Sequence, residues 1–402
     1  MKTHKTLLAL CCVLALCIGG CTLPTPNKNN TEPQETYADA LKYHDEYREH
    51  LQFQHLNESQ QHAYGMLYTS VKDAVHTDAT VPSDDDTLCP GIRVPLDSPL
   101  DREEMSQLYE SFLMDNPQFF FLDRTYSLEG LEKDGKTVYD TILLHFTLNL
   151  KERQEAIQRL NVAVEAATRH CPDTTDEYEI EKYYHDYLIN VCTYDDEAAN
   201  NGSSAYENAY SAYGALVDGR AVCEGYAKAM QLLLHRSAIT ATVVMGRSID
   251  DWEAHMWNLV RINGSYYYVD VTWDDTDDFP QHTYFNMNLE ALQRTHCLDE
   301  HQLTDIVCNS TTESYFVRNH TYLDTYEREV IAGAIAQQVK NGATVIQLQF
   351  APGKYENALL FLKNMSLTQR MTNNQLANHM TLWNYNLSTH AKQHVITLIQ
   401  SA

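Results

Sequence analysis

The chain is short of positive charge: 29 lysines and arginines stand against 55 aspartates and glutamates, a formal net charge of −26 over 402 residues. That balance excludes nucleic acid and anionic lipid headgroups as main partners, because long-range repulsion would slow every encounter. Long apolar runs are equally scarce. One stretch, Leu7 to Ile18, stands out, and it is too short to span a bilayer as a permanent helix. No cysteine pair has the close double spacing of a zinc site. The histidines, His235, His282 and His296 among them, are scattered and read as surface or core side chains, so neither a metal nor a cofactor is expected. Repeats and low-complexity blocks are absent beyond residue 37.

What is present begins with Lys2 and Lys5 ahead of that apolar run, the pattern of an export signal. Ile18-Gly19-Gly20-Cys21 follows, small residues directly before a cysteine, and it resembles the lipobox of bacterial lipoproteins. The resemblance implies cleavage before Cys21 and lipidation of its thiol. Residues 1–20 are then a signal peptide and 21–37 a polar, proline-bearing tether, which places the protein outside the cytoplasm, anchored to a bacterial membrane by lipid. Beyond Cys21 lie Cys89, Cys171, Cys192, Cys223, Cys297 and Cys308. Cys171 with Cys192, and Cys297 with Cys308, are the closest pairs in sequence, and spacing leaves the connectivity open.

Hydrophobic periodicity predicts an α+β protein in three parts. Residues 38–172 carry a helix opening at Asn57-Glu58-Ser59 and running to Val75, and a second from Asp101 to Met114. A strand begins at Phe119-Phe120-Phe121, another runs from Thr137 to Leu150, and a helix from Glu152 to His170 follows. Residues 173–311 carry helices over Glu177–Asn190, Ala205–Val217 and Glu224–Arg236, then β-structure. Residues 312–402 form a smaller α/β unit: helices at Thr325–Lys340 and Lys354–Lys363, strands at Thr344–Phe350, His379–Leu387 and His394–Ile399. Chemistry is legible only in the middle part.

There Cys223 falls just after the Asp218-Gly219 break, at the start of a helix, where free amides and the positive dipole end favour a thiolate. His255 to Ile262, Asn263-Gly264, and Ser265 to Trp273 form a hairpin with a two-residue turn. Pairing Ile262 with Ser265 sets Trp257 opposite Asp270 and His255 opposite Thr272. His255 and Asp270 become diagonal neighbours on one face, about 7–8 Å apart along the backbone. A thiol, a base to take its proton and a carboxylate to orient the base are the parts of a nucleophilic triad. Asp274 and Asp275 are expected to cap the hairpin or face solvent.

Together Ala212-Tyr213-Gly214-Ala215-Leu216, Val222-Cys223-Glu224-Gly225-Tyr226-Ala227, His255-Met256-Trp257-Asn258 and Val269-Asp270-Val271-Thr272-Trp273 resemble the transglutaminase-like superfamily of papain-type thiol enzymes. The resemblance covers roughly residues 174–290. It implies a papain-like core flanked by smaller α+β domains, with Cys223 as nucleophile, His255 as base and Asp270 as its orienting group. Donors for the developing oxyanion would be the Cys223 amide and either the Tyr213 hydroxyl or another group. Trp257 and Trp273 either wall the cleft or pack in the core. The expected activity is acyl transfer from a peptide or isopeptide amide of a protein substrate at the cell surface, to water in preference to an amine. The alternatives are a protein-glutamine transamidase and a non-catalytic surface binding module.

Overall fold

Reciprocal caps start the first helices. Asn57 accepts from the Gln60 N–H while the Gln60 side chain accepts from Asn57 N–H, opening α1 (Glu58–Ala74), and Asp101 with Glu104 does the same for α2 (Arg102–Asp115). The computed structural model describes residues 50–83, 87–133, 135–202, 206–276, 279, 281–299, 303–363 and 385–400. The expected signal peptide and tether lie outside the described residues. The described residues form one compact unit.

The helices α1 and α2 cover an antiparallel sheet in the order β1-β2-β4-β3: β1 (Thr80–Pro82), β2 (Leu88–Leu100), β3 (Leu122–Lys133) and β4 (Lys136–Phe146). Its core includes Leu67, Val71, Leu108, Phe112, Ile142 and Leu144, all without exposed surface. The phenylalanine triplet does not begin the strand as expected. Pro117–Phe119 is a single 3-10 turn and β3 starts only at Leu122. Pro117 fixes φ, and Asn116 Nδ2 donates back to the Phe112 carbonyl at 2.8 Å, which holds the chain in a turn while the three rings pack inward.

Asn149 and Glu152 cap α3 (Leu150–Thr168), and α4 (Glu177–Val191) follows. The expected helix over Ala205–Val217 is broken: a 3-10 turn at Glu207–Tyr210 and a bend at Ser211 precede a short helical segment, α-helical at 212–213 and π-helical at Gly214–Asp218. The cause is close backbone approach: a Cβ on Gly214 would lie 2.1 Å from the Asn208 carbonyl oxygen. This segment supports the parallel pair β5 (Thr193–Tyr194) and β6 (Arg220–Ala221), which delivers the chain to α5 (Cys223–Arg236).

The helix α5 is buried on nearly every side, through Tyr226, Ala229, Met230, Leu233 and Leu234, and contacts a second antiparallel sheet. That sheet runs β10-β7-β8-β9, with β7 (Ala241–Ser248), β8 (Ala254–Ile262), β9 (Ser265–Val269) and β10 (His296–Leu298). The hairpin turns at Asn263 (φ 48°) and Gly264 (φ 84°), as a two-residue turn of this hand requires. Its register matches the expectation from Ile262↔Ser265 to Asn258↔Val269. Then it departs. Asp270 leaves the strand, donates its N–H to the Tyr284 carbonyl at 3.0 Å, and caps the single turn α6 (Val271–Asp274) by accepting from the Trp273 N–H. Trp257 therefore does not pair with Asp270, nor His255 with Thr272.

A third sheet, β11-β12-β14-β13, closes the fold with β11 (Tyr322–Leu323), β12 (Val345–Phe350), β13 (Tyr385–His390) and β14 (Val395–Gln400). Its core is shared with α7 (Arg328–Lys340) and α8 (Tyr355–Lys363). Residues 379–384 of the expected strand fall outside the described residues. The pairings Cys171–Cys192 and Cys297–Cys308 are not formed: all the cysteines beyond residue 50 are free thiols.

Candidate active site

Cys223 is the first residue of α5. Val222 before it is extended (φ −91°, ψ 178°) and gives no side-chain cap, so the first-turn amides are left for another acceptor. The helix start is pinned by a short contact with the 207–211 segment: Val222 N–H donates to the Ala209 carbonyl at 2.9 Å, and a Cβ on Gly225 would lie 2.5 Å from that same oxygen. The Cys223 side chain stays half-exposed while its neighbour Glu224 is buried. Lys228 Nζ donates to Glu224 at 2.8 Å, and Arg124 of β3 reaches the other carboxylate oxygen.

His255, at the start of β8, donates from Nε2 to Asp270 Oδ2 at 2.7 Å. Cys223 also acts on this imidazole. Burial works against charge on the imidazole. The Asp270 carboxylate and the bonds to Asp270 and Cys223 overcome it and push the His255 pKa up to about 10. Asp270 has no exposed surface; burial would raise its pKa, but His255 and His296 hold it well below the usual carboxylate range. His296 of β10 donates from Nε2 to the same Oδ2 at 3.1 Å, and its Nδ1 lies 2.9 Å from the Thr295 hydroxyl. His296, separated from Asp270 by 26 residues and carried by an edge strand, gave no signal in the sequence beyond being a lone histidine.

Aromatic rings enclose the imidazole pair. Trp273 stacks on His255 with centroids 5.0 Å apart and lies 4.2 Å from His296, while Trp257 lies 5.8 Å and 4.7 Å from the same two rings. Trp257 is 1% exposed and packs beneath the site; Trp273 is partly exposed at its edge. Tyr213 sits in the core, its ring stacked on Phe120 at 5.0 Å and under the Arg159 guanidinium. Two other tyrosines feel Cys223 electrostatically. Burial and then the Cys223 charge raise the Tyr194 hydroxyl to about 12, and Cys223 also contributes to the raised pKa of Tyr210 after burial and the opposing Arg124. Tyr210, Glu224 and Lys228 line a cleft of about 450 Å³ together with Phe120, Asp123 and Arg124.

Residues 165–271 match the model of the transglutaminase-like superfamily. This segment is a transglutaminase-like domain. No curated protein matches the chain. Among solved structures it is similar to one described as a TGase (17% identity, TM-score 0.28, 48% of this chain and 53% of that one). It is also similar to a candidate cysteine protease from Cytophaga hutchinsonii (13%, TM-score 0.23, 38% and 63%) and a candidate protease from Parabacteroides distasonis (10%, TM-score 0.22, 35% and 35%). The chain thus spans about half of the TGase it matches, 53% of that chain's length.

Just beyond the last matched residue of the transglutaminase-like domain lies a second histidine and carboxylate network. Asp274 does not face solvent as expected. It has no exposed surface, and its carboxylate accepts from the Tyr284 N–H at 3.1 Å and from His185 Nε2 at 3.2 Å. Asp275 is partly buried and accepts from the Tyr226 hydroxyl. A closed loop results: Asp270 donates to the Tyr284 carbonyl, Tyr284 donates to Asp274, and α6 joins the two carboxylates.

Proposed function

We propose that the protein is a thiol enzyme that cleaves a peptide or isopeptide amide through a thioester on Cys223, with water as the preferred acceptor. The observation that supports this reading is the 2.7 Å hydrogen bond between His255 and the buried Asp270, on an imidazole that also interacts with Cys223 at the start of α5. His255 is the base that takes the Cys223 proton, and the sulfur is the nucleophile. The sulfur adds to the amide carbon, the C–N bond breaks, and His255 gives its proton to the departing amine. Water then adds to the thioester, His255 takes its proton, and the acid leaves as the C–S bond breaks. Uncapped amides at the start of α5 offer hydrogen bonds to the oxyanion in both halves.

The partial exposure of Cys223 supports water over an amine as acceptor. The lipobox-like segment ending at Cys21 supports a substrate that is a protein or peptide at a bacterial cell surface, with the enzyme anchored there by lipid. Incubation of the full chain with a peptide library, read by product mass with and without a concentrated primary amine, tests the reading. Hydrolysed products that vanish in Cys223→Ala are expected. Amine adducts in place of acids would make the protein a transamidase, and no turnover with any peptide would leave a binding module.

A further inference from the structure

We propose that His185 Nδ1, His282 Nε2 and the Asp186 carboxylate bind a divalent transition cation of the zinc class, at a site separate from Cys223. Both ring nitrogens converge on one oxygen: His185 Nδ1 lies 3.1 Å and His282 Nε2 2.8 Å from Asp186 Oδ1. The ligand atoms of the three residues all lie within 4.8 Å of one another. Donors around a four-coordinate zinc are about 3.3 Å apart, so a small outward movement admits the ion.

The outer nitrogens make the case. His185 Nε2 faces the buried Asp274 carboxylate at 3.2 Å, and His282 Nδ1 faces Gln347 Oε1 at 3.3 Å. That oxygen is fixed as an acceptor because it also receives the His282 backbone N–H at 3.1 Å. Each histidine thus has an acceptor behind it, the arrangement that orients metal-bound imidazoles and leaves the inner nitrogen as a lone pair. Without a cation all four ring nitrogens face acceptors. Satisfying them requires two doubly protonated rings stacked 5.1 Å apart. A cation replaces the two inner protons, which leave to solvent.

The pair at Asp270 differs in this respect. There His296 Nδ1 meets the Thr295 hydroxyl, which can donate, so that ring is satisfied with one proton, on the Nε2 that faces Asp270. The Asp186 site is also rigid. His185 has no exposed surface, and His282 is held between His185 and Tyr315, the latter ring parallel at 4.1 Å. Asp186 retains a solvent-facing side, where Lys182 Nζ now occupies Oδ2. That ammonium swings into water when the ion enters, and a water completes the coordination. The cation would tie α4 to the segment after α6 and, through Gln347, to β12.

Equilibrium dialysis of the full chain against zinc alone, with metal measured by elemental analysis, provides the test. One zinc per chain is expected, unchanged in Cys223→Ser and weakened about 10- to 100-fold in Asp186→Asn and His282→Gln. Lys182→Ala removes the competing ammonium from a partly exposed position and should tighten binding. It decides the matter if the other variants do not fold. Cobalt in place of zinc should give ligand-field bands without a sulfur charge-transfer band. Absence of binding to the folded chain, binding lost in Cys223→Ser but kept in Asp186→Asn, or affinity unaltered by Lys182→Ala would overturn the proposal.

Discussion

At the scale of single residues the site turns on His255. Its pKa of about 10 lies above the ordinary 6.5, so the stability it draws from Asp270 is fully present below about pH 6.5 and is lost as pH rises through about 10. Activity should share that upper limit, because the amine leaves only if the imidazole can protonate it. In Asp270→Asn the carboxylate that raises the pKa is gone, and the alkaline limb of the kcat/KM profile should move toward neutrality. An unmoved limb would show that Asp270 does not govern the imidazole. His296 is a positioning residue for Asp270. His296→Ala should lower kcat about tenfold with KM nearly unchanged, a split that steady-state kinetics on the identified peptide would read.

Elements carry the next level, and the start of α5 is the critical one. Gly225→Ala would drive a methyl to 2.5 Å from the Ala209 carbonyl, pushing the helix start away from the 207–211 segment. Chemical denaturation should show a loss of about 1–3 kcal/mol, and the activity of the folded fraction should fall as Cys223 shifts. Much of this level was legible. Helix starts at Asn57 and Asp101 follow from side chains that cap, and the hairpin register follows from Asn263-Gly264, whereas the helix capped by Asn149 begins inside the strand expected to reach Leu150. The turns at 207–218 were not legible, because close backbone contact at Gly214 overrides an apolar spacing that fits a helix. Nor was the exit of Asp270 from its strand, since alternation continues to Trp273 while the chain turns to cap α6. His296, Tyr194 and Tyr210 meet the site, and the Asp186 network assembles apart from it, only through tertiary folding, and short-range patterns cannot encode that.

Across the whole molecule the sheets are tied to neighbouring elements by polar contacts. Arg124 of the first sheet reaches Glu224 on α5, and Gln347 of the third holds His282. Asp115, at the end of α2, accepts the backbone N–H groups of Gln52 and Phe53, and burial still pushes its pKa up to about 7. Here the sign is that of an acid favoured in its neutral form. The stabilisation is complete below the unfolded value of about 3.9 and fades as pH rises through about 7. Thermal unfolding across that window should show the decline in the wild type and a flatter profile in Asp115→Asn. An equal slope in both would place the pH dependence elsewhere.

The central claim is that His255 and Asp270 hold Cys223 as a nucleophile, and alkylation tests it most directly. The rate of iodoacetamide modification at about pH 6 would be measured by mass at Cys223 and at the partly exposed Cys297 of the same chain. Modification at Cys223 should be at least about tenfold faster than at Cys297, and His255→Ala should abolish the difference. Equal rates at the two thiols, or a Cys223 rate indifferent to loss of His255, would contradict the account.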